Sequence, residues 1–237
     1  MYTSRMRKSW MTELAFDLPD GTSVPVAVTR LLNAGYAGRE QDEVAAHVAE
    51  LAELGVPAPS VTPALYPVAP YLAAQADTVP VQHGRTSGEA EWALVVAGPE
   101  DLLLTVACDH TDRALEVHGV AWSKNAGLDV LGSGAWRLSD VEDHLDELRL
   151  RAWVTHDDGA EQLIQDSPLA ALLPPRYWLD EIPQLLEPGT VLLSGTVAML
   201  PGVDQFADRW RVELADPVTG HTLELGYGVE RMPEPIG

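Results

Sequence analysis

The stretch SGEAEWALVVAG, residues 87–98, places two glutamates at the start of an apolar run with the length and composition of a buried β-strand. Side chains alternate between the two faces of a strand, so Glu89 and Glu91 point the same way. Neighbouring carboxylates resist joint ionisation unless a cation compensates them. Two interpretations follow: a site for a hard, oxygen-preferring ion such as Mg²⁺, or a solvated strand face.

A second apolar run, LLLTVAC (102–108), leads directly into Asp109 within CDHTDRALE. Aspartate is rarely buried without a partner, and the end of a strand is where loops commonly assemble a site. Asp109 is therefore a candidate ligand beside the two glutamates. The alternative is that Asp109 caps the helix-like turn TDRALEV (111–117), because aspartate is a frequent helix N-cap.

From about residue 78 onward the chain consists mainly of short apolar runs bounded by Gly, Pro or acidic turns, which predicts strands. Two segments predict helices, LSDVEDHLDELRL (138–150) and the region around YWLDEIPQLL (177–186). Strands outnumber helices and regular βαβ alternation is missing. The predicted class is α+β with a β-rich core.

The region before residue 60 has a different pattern. LAFDLPDGTSVPV (14–26) alternates around Asp20-Gly21 and predicts a β-hairpin, whereas VAVTRLLNAGYAG (26–38) and QDEVAAHVAELAELG (41–55) predict helices. The Pro-rich segment 56–70 predicts a connector or an extended wall. We therefore expect a flexible lead over residues 1–12, a small N-terminal α+β subdomain over 13–60, and a core over 61–237.

Composition limits the partners of the protein. The chain has 36 acidic and 15 basic residues and a formal net charge of -21, a field that repels nucleic acid and anionic membranes. A small anion can bind only where a cation or a local Arg or Lys reverses the potential. The single cysteine excludes an internal disulfide and fits a reducing cytoplasm. No apolar run approaches the roughly 20 residues needed to span a bilayer.

Four motifs in order carry a family resemblance. SGEAEWALVVAG resembles the ExE strand of the fumarylacetoacetate hydrolase superfamily, and CDHTDRALE is similar to its ND-x-S-A-R-D segment. The lysine of WSKN (122–125) and the hairpin EPGTVLLSGTVAMLPGV (187–203) match two later motifs. The match runs from about Glu89 to Val203. The whole chain also resembles a bacterial branch of this superfamily described only as a domain of unknown function.

The resemblance implies a fold and a set of site residues. The fold is a mixed, rolled β core with a few flanking helices, and relatives are usually homodimers. The implied metal is Mg²⁺ or Mn²⁺. The implied ligands are Glu89, Glu91 and Asp109; the implied catalytic residues are Arg113, Lys124 and Thr196; and the implied substrate-binding residues are Tyr66, Gln165, Ser194 and Gly195.

The implied activity is hydrolysis of a C–C bond next to a carbonyl in a small acylpyruvate-like or 1,3-dicarbonyl acid, through a metal-stabilised enolate. Hydrolases of the family commonly use a His oriented by a Glu, and the corresponding stretch here, PALYPVAPYLAAQAD (63–77), has neither. His110 or His83 is the substitute base, or each is a surface or capping histidine. Two alternatives remain: a decarboxylase, tautomerase or hydratase on the same metal site, and a non-catalytic module that binds metal and acid.

Overall fold

The two apolar runs that contain the acidic residues form long paired strands, and the rest of the chain is arranged around them. The computed structural model describes residues 11–53, 55, 58–157, 159–234 and 236. The strands are β1 (Thr12–Asp17), β2 (Ser23–Val28), β3 (Arg30–Gly35), β4 (Ala64–Val68), β5 (Ala73–Ala74), β6 (Thr78–Val81), β7 (Thr86–Val96), β8 (Leu102–Asp112), β9 (Asp129–Arg137), β10 (Arg149–Thr155), β11 (Glu161–Pro168), β12 (Thr190–Leu193), β13 (Arg209–Ala215) and β14 (Thr222–Arg231).

The described helices are short apart from the first. They are α1 (Gln41–Glu53), α2 (Val120–Lys124), α3 (Leu138–Val141) and α4 (Pro175–Glu181), with 3₁₀ turns at Pro70–Leu72, Glu116–His118, Glu142–Glu147, Leu169–Ala171 and Pro183–Leu185. None of these helices combines the length and the apolar character needed to cross a lipid bilayer.

Two sheets make up the described structure. The larger has nine strands in the order β2-β1-β9-β8-β7-β12-β3-β4, with β5 also paired to β9, and it curls into a half-barrel. The smaller has five strands in the order β11-β10-β13-β14-β6. Mixed sheets therefore dominate, which confirms the predicted β-rich α+β class.

Alternation along β7 and β8 separates two cores. Even-numbered side chains such as Ala90, Trp92 and Cys108 pack in the cluster that also contains the inner side chains of the five-stranded sheet; we call this side the inter-sheet face. Odd-numbered side chains such as Ala93 and Ala107 pack in a second cluster, whose members come from the nine-stranded sheet and its connections. Glu89, Glu91 and Asp109 share this second side, which we call the carboxylate face.

The N-terminal predictions met different outcomes. The hairpin is confirmed, since β1 and β2 pair antiparallel across Asp20-Gly21, and α1 is confirmed as a helix. The helix predicted over residues 26–38 is wrong. β3 occupies this segment, paired with β12 on one side and β4 on the other, so tertiary strand pairing overrides a local preference for helix.

The domain boundaries stay a prediction. Strands β1 to β3, which precede the expected division near residue 60, belong to the nine-stranded sheet. Residues 1–10 of the expected lead lie outside the described residues. The two later helices are shorter than predicted: 138–150 begins as α3, continues as a 3₁₀ turn and enters β10 at Arg149, and α4 ends at Glu181.

Candidate metal centre

Three carboxylates meet on the carboxylate face of β7 and β8. Glu89 lies directly across from Asp109 in the antiparallel register, and Glu91 lies two residues further along β7. Each side chain presents an oxygen, and the three oxygens lie within 4.8 Å of one another. Glu91 and Asp109 are fully buried and Glu89 is 9% exposed. The predicted ligand residues are therefore brought together.

Two cations contact this group. The Lys124 Nζ, from the end of α2, lies 3.0 Å from Glu89 Oε2 and also donates to Asp109 Oδ2. The Arg113 guanidinium donates to Glu89 Oε1 at 2.9 Å, to Glu116 Oε1 at 2.7 Å and to Ser87 Oγ at 2.6 Å. Both oxygens of Glu89 thus have a cationic partner.

The pKa shifts follow from burial and these charges. Burial alone would raise the pKa of Glu89, but the charges of Lys124 and Arg113 outweigh it and lower that pKa to about 2. Burial raises the pKa of Glu91 well above its usual value, and the anions of Asp109 and Glu89 add to the effect. Burial opposes the charge of Lys124, yet the surrounding carboxylates hold its pKa well above the ordinary value.

A further cation fits the centre. Among the described residues, Glu91 Oε1 and Asp129 Oδ2 are buried without a hydrogen-bond partner. Buried polar atoms normally have partners, so these oxygens are short of positive charge or donors. The centre has more acids than bases: Glu89, Glu91, Asp109, Glu116 and Asp129 against Arg113 and Lys124. An all-oxygen set with excess negative charge matches the preference of a hard divalent cation.

Asp109 is not the helix cap that one interpretation allowed. Strand β8 continues for three residues beyond it, and Asp112 accepts hydrogen bonds from the backbone N–H groups of Ala114 (2.9 Å) and Leu115 (3.2 Å). Asp109 Oδ1 instead accepts from the Thr111 hydroxyl at 3.1 Å. Asp109 thus lies inside the strand, with its carboxylate directed into the centre.

Two buried polar residues of the centre were missed by the sequence reasoning. The Asn33 Nδ2 group donates to Asp109 Oδ2 at 3.0 Å and to Asp129 Oδ1 at 3.1 Å, and Asn33 and Asp129 are fully buried. Asp129 lies directly across from Asp109 in the β8–β9 register. The signal for Asp129 was an acid at the start of an apolar strand, the same signal that singled out Glu89.

The turn after β12 donates a backbone hydrogen bond to the carboxylate of Glu91. The backbone N–H of Gly195, a residue with φ +79°, donates to Glu91 Oε2 at 2.7 Å, so this donor is committed to a carboxylate. The Ser194 hydroxyl donates to the Gly195 carbonyl at 2.7 Å and accepts from the Trp92 N–H at 3.2 Å. These two residues, predicted to bind substrate, contact the protein itself here.

Gln165 and Thr196 bind the same turn to β7. Gln165 is fully buried; its Oε1 accepts from the Ala90 N–H at 3.0 Å, and its Nε2 donates to Thr196 Oγ1 at 2.8 Å and to the Val197 carbonyl at 2.6 Å. The Thr196 hydroxyl donates to the Ala90 carbonyl at 2.9 Å. This geometry gives both residues a role in holding the turn.

Two tyrosines lie near Lys124. Tyr66 is half-buried on β4 across from Asn33, and a side chain at Gly35 would come within 2.8 Å of its ring. Tyr36, which the sequence reasoning missed, has a left-handed backbone with φ 56°. Burial and the nearby Tyr66, Glu116 and Glu89 raise the pKa of Tyr36 to about 12. Both phenols therefore keep their protons at neutral pH.

Neither candidate histidine lies on the carboxylate face. The ring of His110 is buried on the inter-sheet face, with Nδ1 3.0 Å from the Tyr227 hydroxyl and Nε2 2.9 Å from Thr86 Oγ1. Burial and the charge of Arg113 lower the pKa of His110 to about 4. His83 is partly exposed and pairs with Asp112 at 3.2 Å. The structure brings neither residue to the carboxylates.

The loop between α2 and β9 is fixed by a close approach of two backbones. A Cβ at Gly127 would lie 1.7 Å from the carbonyl oxygen of His110, and the His110 N–H donates to the Leu128 carbonyl at 3.0 Å. Only glycine allows this contact. Lys124 and Asp129 therefore enter the centre from the two ends of a closely packed loop.

Three solved structures share this fold. The structure of Cg1458 with an inhibitor is 22% identical, with a TM-score of 0.61 over 88% of this chain and 79% of that chain. The complex of 2-keto-3-deoxy-D-arabinonate dehydratase with magnesium and 2,5-dioxopentanoate is 15% identical, with a TM-score of 0.60 over 93% and 95%. An apo form of 2-keto-3-deoxy-D-arabinonate dehydratase is 18% identical, with a TM-score of 0.60 over 87% and 74%.

These similarities confirm the fumarylacetoacetate hydrolase-like fold that the motifs predicted. Comparison with curated proteins gives no match. The family model described as "Protein of unknown function (DUF2848)" matches residues 34–227, which is more than half of the chain. The chain therefore belongs to the DUF2848 family, with a fumarylacetoacetate hydrolase-like fold.

Proposed function

We propose that this protein is a divalent-metal-dependent enzyme that acts on a small 2-oxo acid. The observation that carries the proposal is the buried group of Glu89, Glu91 and Asp109, whose oxygens lie within 4.8 Å of one another beside the charged Lys124. The dehydratase with the same fold was solved with magnesium and 2,5-dioxopentanoate, which supports Mg²⁺ and an oxo acid as the ligands.

The chain supplies the ligands and the surrounding charge. Glu89, Glu91 and Asp109 would hold the ion, which supplies Lewis-acid stabilisation of an enolate when bound. The Lys124 ammonium keeps its proton and stabilises negative charge that develops on a substrate oxygen nearby. The phenols of Tyr36 and Tyr66 stay protonated and are suited to donate hydrogen bonds to substrate oxygens.

The position of His110 and His83 bears on the reaction type. Hydrolysis requires a base that activates water within hydrogen-bond reach of the substrate, and both candidates are held away from the carboxylates. Decarboxylation forms an enolate without a water-activating base and therefore fits this centre. Dehydration or hydration and tautomerisation also pass through an enolate but need a proton transfer at the adjacent carbon; the dehydratase with the same fold supports the first of these. Hydrolysis of a C–C bond in an acylpyruvate-like acid is the second candidate, supported by the motif resemblance.

Calorimetric titration with Mg²⁺ and Mn²⁺ tests the metal site. Replacing Glu91 with glutamine removes one anionic ligand, and we expect affinity to fall at least about 100-fold, beyond the loss typical of outer-shell partners. Glu224→Gln changes an exposed strand glutamate of β14 and is the matched control. Binding that is equal in the wild type and Glu91→Gln would refute the metal site.

A panel of substrates distinguishes the reactions. The metal-loaded protein is incubated separately with 2-keto-3-deoxy sugar acids, oxaloacetate and acylpyruvates, and products are identified by mass spectrometry. Loss of water or of carbon dioxide supports enolate chemistry without hydrolysis, whereas two acid fragments support the hydrolase. Metal binding without any product would favour a non-catalytic module that binds metal and acid.

The cytoplasmic location and the homodimer are part of the proposal. The buried thiol of Cys108, which forms no disulfide, is compatible with a reducing compartment. Light scattering during size-exclusion chromatography measures the oligomeric state, and a mass near twice 25.6 kDa is expected. A monomer mass would remove the homodimer from the proposal.

A further inference from the structure

One amide links two carboxylates that face each other across neighbouring strands. Asp109 and Asp129 are directly opposite in the β8–β9 register, on the same face, where like charges repel. The Asn33 Nδ2 group lies between them and donates one hydrogen bond to each. All three side chains are fully buried, so water does not screen them.

Asp129 stands apart from the ligand group. Its carboxylate is not among the three whose oxygens lie within 4.8 Å of one another, and its Oδ1 is used by Asn33. Burial and the charge of Asp109 raise the pKa of Asp129, whereas the hydrogen bond from Asn33 opposes this shift. Asp129 thus contacts the centre through the amide of Asn33 and also interacts directly with the carboxyl group of Asp109.

The donors to Asp109 define how its carboxylate is held. Oδ1 accepts from Thr111, and Oδ2 accepts from both Asn33 and Lys124. Lys124 lies at the end of a five-residue helix, whereas Asn33 lies on β3 inside the nine-stranded sheet. Asn33 is therefore the donor to Oδ2 that is built into the sheet.

We infer that Asn33 and Asp129 form a positioning pair for the metal centre: Asp129 orients the Asn33 amide, and Asn33 fixes the carboxylate of Asp109 for ligation. This inference rests on the proposed function. Outer-shell hydrogen bonds of this kind set the orientation of metal ligands. The sequence predicts a helix for the segment that contains Asn33. The segment instead forms strand β3 of the nine-stranded sheet, and this brings Asn33 to Asp109 and Asp129.

Calorimetric titration with Mg²⁺ alone tests the pair. Asn33→Leu keeps a similar size but removes the donor, and we expect Mg²⁺ affinity to fall about 10- to 100-fold. Asp129→Leu removes the acceptor and has the same effect. Asp129→Asn keeps an acceptor oxygen for Asn33 while removing the charge, so it loses clearly less affinity than Asp129→Leu. The double variant Asn33→Leu/Asp129→Leu is no weaker than either single variant, because the two residues act in series.

The control is Thr105→Val, which removes a buried hydroxyl of β8 that donates to the Gly134 carbonyl at 2.7 Å. It is expected to lower the unfolding temperature without changing Mg²⁺ affinity. Wild-type affinity in Asn33→Leu would overturn the inference while leaving the proposed function intact. Equal losses in Asp129→Asn and Asp129→Leu would assign charge, rather than orientation, to Asp129 and also overturn it. A wild type that binds no Mg²⁺ would refute the proposed function and the inference together.

Discussion

The two faces of the β7–β8 pair are equally buried yet chemically opposite. On the inter-sheet face, both ring nitrogens of His110 and the thiol of Cys108 have hydroxyl partners. On the carboxylate face, Glu91 keeps an oxygen without a partner among the described residues, and acids outnumber bases. Burial alone therefore does not distinguish structural from functional polar residues. The distinction lies in the titratable groups: those of the inter-sheet face have partners within the chain, whereas one oxygen of Glu91 has none within the described ranges. The indole N–H groups of Trp178 and Trp210, which lack partners in the described inter-sheet core, carry no charge.

The largest expected effect is a loss of folding stability when a large side chain is removed from the inter-sheet face. Trp92 is 1% exposed and packs between the sheets, so Trp92→Ala is expected to lower the free energy of unfolding by about 3–5 kcal/mol in urea denaturation. Mg²⁺ affinity of the folded variant should stay near that of the wild type. Trp122→Ala, at a tryptophan that is 66% exposed, should change stability by less than about 0.5 kcal/mol. A loss below about 1 kcal/mol in Trp92→Ala would contradict this assignment.

A change on the carboxylate face should affect turnover more than stability. Lys124→Met removes the ammonium that neutralises Glu89 and Asp109, and we expect kcat to fall about 10²- to 10³-fold on the substrate found by the panel. Mg²⁺ affinity should hold or rise, because a competing cation is gone. Steady-state kinetics and calorimetry measure the two quantities. Arg149→Met, at an exposed cation of β10, is the control; unchanged kcat in Lys124→Met would exclude its catalytic role.

His110 should make stability depend on pH. Its pKa is about 4 in the folded protein, against about 6.5 for an ordinary histidine in the unfolded chain, so its contribution to stability is complete above about pH 6.5. Below that pH the unfolded chain binds a proton that the folded protein excludes. The free energy of unfolding is therefore lower by about 3 kcal/mol at pH 4. Between pH 7 and pH 4, the free energy of unfolding in urea should therefore fall by about 3 kcal/mol less in His110→Gln than in the wild type.

Glutamine at position 110 can bond to both hydroxyl groups but does not titrate in this range. His221→Gln, at an exposed histidine, is the matched control and should follow the wild type. Identical pH profiles for His110→Gln and the wild type would show that the ring is accessible to protons in the folded state.

The smallest expected effect is the absence of a reaction at Cys108. The thiol is fully buried, and burial raises its pKa, so little thiolate is available. An aromatic disulfide reagent should label the folded protein only as slowly as it unfolds, and label it at once in urea. Because the chain has one cysteine, no variant is needed. Rapid labelling under native conditions would show that the inter-sheet face opens.

Part of the centre could be predicted because its residues are adjacent along single strands. A spacing of one residue is enough to place Glu89 and Glu91 on the same face, and an acid in an apolar run is visible at Asp109. The exact end of β8 was not predictable in this way. The sequence allowed Asp109 as a cap, and only the structure shows that Asp112 accepts the backbone hydrogen bonds instead.

The remaining residues are joined by long-range pairing. Asn33 lies 76 positions before Asp109, and its segment is rich in Ala and Leu, which favour helix locally. Parallel pairing with β12 converts that segment into a strand and brings the amide to the centre. Which distant strands pair, and in which register, depends on the complete fold. A local pattern of residues along the chain therefore cannot predict it.

The close contact at Gly127 also limits how this family can diverge. Its buried backbone leaves no volume for a side chain next to the His110 carbonyl, whereas Asn125 and Ala126 beside it are exposed. Over evolutionary time, substitutions should accumulate at Ala126 and be purged at position 127, while Asn125, whose side chain hydrogen-bonds backbone groups of Pro67, Ala69 and Ala121, should vary less than Ala126. Relatives that have lost the acidic residues should still keep this glycine, which would make it a marker of ancestry rather than of activity.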